Sequence, residues 1–176
     1  MKIKKRVLIA VNYWNGNEAA AAKPPRKERV NNMRLWHKSL IRFLPDMQLK
    51  GQWRECALIA RGLKENGTPN HLLVNKLTEY GMEHFYSYCV CVLEEMSERG
   101  FYVTDKSVER IQKFRGKIIG IDELFNGWHE EEYLRVCMAN LYEKHVFGVG
   151  KSQITDAEWN RLLIGYKVAT RKDYKI

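Results

Sequence analysis

The residues with most chemistry to offer lie close together. Glu55 is preceded directly by Arg54, and Gln52 and Gln48 stand three and seven residues before it. On an α-helix those spacings place Gln48, Gln52 and Glu55 on one face. A carboxylate held in such a place can move a proton or stabilise a developing positive charge. A glutamate beside an arginine is also what an ordinary ion pair looks like, so the residues alone leave both readings open. Other chemistries are missing at the level of motif. No phosphate-binding P-loop, G-x-G-x-x-G, G-x-S-x-G or H-E-x-x-H is present. Cys89 and Cys91 are two apart and diverge on a helix, and neither they nor Cys56 and Cys137 pair with histidine at zinc-finger spacing. Buried, reduced thiols are expected instead, with no metal site, in a cytoplasmic protein.

The chain of 176 residues has a net charge of +9, which suggests a polyanionic partner. Residues 1–32 hold 8 of the basic residues against 2 acidic ones, so most of that charge belongs to the first segment. In the remainder, basic residues gather at 33–64 and 99–117, with acidic stretches between. The two basic segments could form one face, or simply belong to a mixed solvated surface.

The elements that must position Glu55 read as helices. Pro45-Asp46 opens one that should run to about Leu63, with Asp46 as its N-cap and Leu49, Trp53 and Cys56 as its apolar stripe. A second is expected over 83–99, stopped by Gly100, and a third over 129–145. Thr155-Asp156-Ala157-Glu158 is a capping box that opens a fourth, and Thr104 opens a short one over 104–114. No alternating strand finds a partner. The expected fold is all-α, a compact single-domain bundle of three to four main helices with long connecting loops. Residues 1–32, with an alanine run, Pro24-Pro25 and a basic stretch, read as an extension, and 33–176 as the helical domain. No apolar run is long enough to cross a membrane.

Three stretches carry a resemblance: Met33-Arg34-Leu35-Trp36-His37, then Leu44 to Leu49 (LPDMQL), then Trp53-Arg54-Glu55-Cys56. Together they resemble the start of the pyrimidine-dimer DNA glycosylases, the family of the phage endonuclease V, whose bacterial relatives begin MRLWH. Residues 86–101 and 129–145 are similar, more weakly, to later helices of the family. The resemblance implies an enzyme that cuts the glycosidic bond of a pyrimidine dimer in duplex DNA and then the backbone at the abasic site. It implies no metal or organic cofactor, and a monomer. The nucleophile it implies is an N-terminal α-amine, which attacks the sugar C1′, forms an imine and lets β-elimination break the strand. An α-amine, with a pKa of about 7.7–8.0, is on the order of 10% free base at neutral pH, several hundred-fold more than lysine.

Carried over by position, Met33 falls on the nucleophile and Glu55 on the catalytic glutamate. Arg34 and Arg54 fall on phosphate-gripping arginines, and Gln48 and Arg61 are further candidates for DNA contact. Gln48 stands where the phage enzyme has histidine, and Leu58 where it has an arginine. The aromatic-basic C-terminal run of the phage enzyme is not reproduced. Met33 is internal here, and its amide is no nucleophile. The resemblance therefore implies either a start at Met33 or removal of 1–32. The alternative is a non-catalytic DNA-binding module of the same fold, with 1–32 as a basic arm.

Overall fold

The computed structural model describes residues 35–66 and 72–175, all within one compact unit, Met33–Ile176. The described residues are helical, with no strand among them. The α-helices are α1 (Asp46–Asn66), α2 (Leu72–Thr78), α3 (Met82–Glu98), α4 (Asp105–Gln112), α5 (Glu131–Phe147) and α6 (Asp156–Thr170). Short 3-10 segments occupy Lys38–Phe43 and Gly150–Ser152. The all-α class is borne out. The expected count of three to four is too low, because two short helices and one 3-10 segment lie between the four long ones and another 3-10 segment precedes them.

Each long helix buries the stripe its sequence marks. Leu49, Trp53, Cys56, Ile59 and Ala60 of α1 are buried, as are Phe85, Tyr88, Cys89, Val92 and Met96 of α3. Full burial of such a side chain contributes about 1.5–3 kcal/mol for the larger ones. Cys56, Cys89 and Cys137 are buried and are not joined in disulfides. α3 ends as its glycine requires. Gly100 has φ +68°, its N–H donates to Ser97 O at 2.9 Å, and Phe101 N–H donates to Met96 O at 2.8 Å. This pair of bonds closes the last carbonyls of a helix that ends in a left-handed residue. At α6 the capping box is complete, with Thr155 and Glu158 each accepting from the other's backbone N–H. Asp46 is the first residue of α1 rather than its cap, since Leu49 N–H donates to Pro45 O.

The 3-10 segment 38–43 joins the helices. α6 lies against it where Gly165 leaves room: a Cβ there would come within 2.6 Å of the Phe43 ring. Two guanidinium groups take up the carbonyls at its C-terminal end. Arg99 donates to Leu44 O at 2.7 Å and Arg42 O at 3.1 Å, and Arg161 donates to Phe43 O at 3.2 Å and also to Leu44 O. Arg99 is held in turn by Glu95 at 2.7 Å and Asp46 at 3.0 Å. Arg99 is thus a structural residue, although in the sequence it opens the basic segment 99–117.

Candidate active site

The entering strand of chain, Leu35–Lys38, is held by side chains from three helices. Trp36 N–H donates to Gln52 Oε1 of α1 at 2.9 Å, and Trp36 O accepts from the Tyr88 hydroxyl of α3 at 2.7 Å. Leu35 O accepts from the Tyr133 hydroxyl of α5 at 2.7 Å. Lys38 N–H donates to His129 Nδ1 at 3.0 Å, and Lys38 Nζ donates to the carbonyls of Asp122 and Leu124. The backbone is fixed at each of these points because a buried peptide group left unpaired costs as much as a lost hydrogen bond. Leu35, Trp36 and His37 are buried.

Gln52 connects this clamp to the carboxylate. It is 1% exposed, and Glu55 follows it by one turn of α1. Glu55 is half-buried, with its Oε2 shielded from solvent. Gln48, one turn before Gln52, is buried too. Its amide donates to Ser152 O at 3.3 Å, while its Oε1 finds no hydrogen-bond partner among the described residues. The polar face read from spacing is therefore largely buried, with Gln52 bonded to the clamp and Gln48 to the 3-10 segment Gly150–Ser152. Replacing Gln52 by Leu strands the Trp36 N–H. It should cost about 1–3 kcal/mol and speed hydrogen exchange at the Trp36 amide; unchanged exchange would show that Gln52 does not hold the strand.

Below the clamp, His37 and His129 stack with ring centroids 5.1 Å apart. His37 Nδ1 accepts from Ser39 N–H, so its Nε2 carries the proton and donates to His129 O at 2.7 Å. His129 Nδ1 accepts from Lys38, so its proton lies on Nε2, which is buried with no partner among the described residues. Burial lowers the His37 pKa from 6.5 to about 4, and burial with His37 beside it lowers that of His129 to about 2. Both rings are neutral in the folded protein and take a proton more readily when it unfolds. Stability should therefore fall as the pH drops below 6.5, by up to about 1.4 kcal/mol per pH unit for each ring, until the folded-state values are reached. The check is a pair of NMR titrations in which neither ring gains a proton above about pH 5; a midpoint near 6.5 for either would contradict it.

Of the remaining candidates, Arg54 and Arg61 are exposed on the outer side of α1. Met33 and Arg34 lie outside the described residues. The two basic segments converge only in part. Lys38 and Arg99 are taken up by carbonyls, and Lys50 covers the Phe101 ring at 3.8 Å. Arg61, Lys64, Lys106, Arg110 and Lys113 do share one groove.

Residues 33–109 match the model of the pyrimidine dimer DNA glycosylase family. Over that stretch the chain is similar to the family, as its opening residues indicated. The stretch contains the clamp strand, all of α1 and the carboxylate, and it ends inside α4. No curated protein and no solved structure matches the chain. The likeness read at 129–145 falls beyond the glycosylase match. Tyr133 and His129 from that region nevertheless hold the same strand as Gln52 and Tyr88. Spacing placed Tyr88 in a buried stripe but gave neither it nor Tyr133 or His129 a role at the site. The available signal was a tyrosine or histidine in a core stripe, whose polar end must find a partner once buried. Among the described residues no cluster of His, Cys, Asp and Glu is placed to hold a metal, and no helix is long and apolar enough to cross a membrane.

Proposed function

We propose that this chain is a DNA-repair enzyme that removes a base of a pyrimidine dimer from duplex DNA and cuts the strand at the abasic site, with the α-amine at residue 33 as nucleophile. The observation that carries this reading is the clamp on Leu35–Lys38. It begins two residues after position 33 and is bonded, through Gln52, to the helical turn that bears Glu55. Three residues of chain span at most about 11 Å, so a nitrogen at position 33 starts within that distance of Trp36.

In this reading the amine lone pair forms a bond to C1′ as the base departs with the glycosidic electron pair. The sugar opens to an imine, and loss of a 2′ proton expels the 3′ phosphate. Water then frees the amine. The Glu55 carboxylate stabilises the positive charge that builds on the sugar and accepts protons from the amine and the sugar. The buried Gln48 Oε1 offers an acceptor in the same face, and Arg34, Arg54 and Arg61 bind phosphate. The amine is free only if translation starts at Met33 or residues 1–32 are removed. With those residues attached, position 33 is an amide and the non-catalytic DNA-binding reading applies.

Ultraviolet-irradiated and unirradiated duplexes of one sequence provide the test. Protein that begins at Met33 should nick the irradiated duplex at its dimers and leave the other whole. Equal treatment of the two, or no nicking, would overturn the assignment.

A further inference from the structure

We propose that the groove between the C-terminal half of α1 and α4 is a second phosphate site, which grips the backbone of the duplex away from the reacting nucleotide. This rests on the reading of the chain as a DNA-cleaving enzyme. The groove has a volume of about 340 Å³ and is lined by Arg61 and Lys64 of α1 and by Lys106, Arg110 and Lys113, with Glu109 as the single carboxylate of its lining. Lys106, Arg110 and Lys113 recur at helical spacing, so they form one row that faces the pair on α1.

The placement of that row is built in. Trp53 Nε1–H of α1 donates to Ser107 Oγ at 3.2 Å, and the Ser107 hydroxyl donates to Thr104 O at 2.6 Å. Ile111 is buried on the same side. With one face of α4 anchored in this way, its basic row is left along the groove. Among the described residues, Lys64, Lys106, Arg110 and Lys113 have no carboxylate within ion-pair distance. The neighbouring Lys64 ammonium holds that of Lys113 below its ordinary pKa. Crowded like charges at a protein surface raise its local potential and favour a polyanion. No apolar side chain larger than Ala60 lines the groove, so it suits a phosphodiester chain rather than a lipid surface.

α1 sets the distance from the site. Arg54 and Arg61 share a face, and Lys64 comes nine residues after Glu55, about 13 Å along the axis. That length corresponds to about four base-pair steps of duplex. The groove thus contributes affinity without reading sequence or lesion, as backbone contacts do.

The test uses the full chain, a duplex carrying one abasic site, and binding measured across a range of sodium chloride concentrations. The triple change Lys106→Gln, Arg110→Gln, Lys113→Gln should lower the slope of log affinity against log salt by about 2–3 and weaken binding roughly 10- to 100-fold at low salt. Arg110→Gln alone should lower the slope by about 1, so the test does not depend on the fold of the triple variant. Lys106→Arg with Lys113→Arg should keep the original slope. An unchanged slope in both glutamine variants, with the parent protein binding DNA, would overturn the groove and leave the enzyme reading standing. Failure of the parent protein to bind the duplex at any salt concentration would overturn both.

Discussion

Glu55→Gln should slow strand cleavage at an abasic site by about 10²- to 10⁴-fold, the range that a positioned proton-transfer group commands. The change keeps the side chain's size and one of its oxygens, and Glu55 is half-buried at the edge of the packed face of α1, so the fold should survive. What is lost is negative charge and proton exchange. A glutamine cannot balance the cationic sugar and cannot take the proton whose departure drives elimination. The effect should appear in single-turnover rates at saturating DNA, with duplex affinity within a few-fold of the parent. A rate within about threefold of the parent would place Glu55 among ordinary surface ion pairs, which are worth little.

Arg99→Ala should be the most damaging change to stability among those considered. Arg99 takes up two backbone carbonyls, those of Leu44 and Arg42, and pairs with Glu95, which is itself 8% exposed. Removing the guanidinium leaves the Glu95 carboxylate buried without its partner and leaves Arg161 alone at the end of the 3-10 segment. Breaking a buried pair in this way costs about 3 kcal/mol, which for a domain of this size is about 10 °C in Tm. Arg99→Lys should recover only part of it, because a lysine cannot fork between Leu44, Arg42 and Glu95. The competing expectation comes from sequence, where Arg99 opens a basic stretch suited to phosphate. On that view Arg99→Ala would weaken DNA binding and leave the melting temperature unchanged.

The comparison between sequence and structure turns on what a period can reveal. Apolar side chains recur at 3.6 residues because a helix buries one stripe, so α1, α3, α5 and α6 were legible, and so were the glycine stop at Gly100 and the capping box at Thr155. The segment 38–43 and α2 are too short for a period to show. The 3-10 segment is held instead by Arg99 and Arg161, from positions 57 and 118 residues away in the chain.

The site divides in the same way. Glu55 and its glutamines were visible as a face of one helix. The clamp was not, because Gln52, Tyr88 and Tyr133 come from separate helices and His129 from the turn before α5, and all four converge on the backbone of Leu35–Lys38. Charge was the least reliable signal. Lys38, Lys50 and Arg99 count as basic in any composition, yet each is used inside the domain, by carbonyls or by an aromatic ring.

The central claim is that an α-amine at residue 33 does the chemistry beside Glu55. Its most direct test is reduction with borohydride during reaction with a duplex that carries an abasic site, using protein whose chain begins at Met33, followed by mapping of the cross-linked peptide. The account predicts a covalent adduct on the Met33 amine, lost when that amine is acetylated. No adduct with DNA binding intact, or an adduct on a lysine side chain, would contradict it.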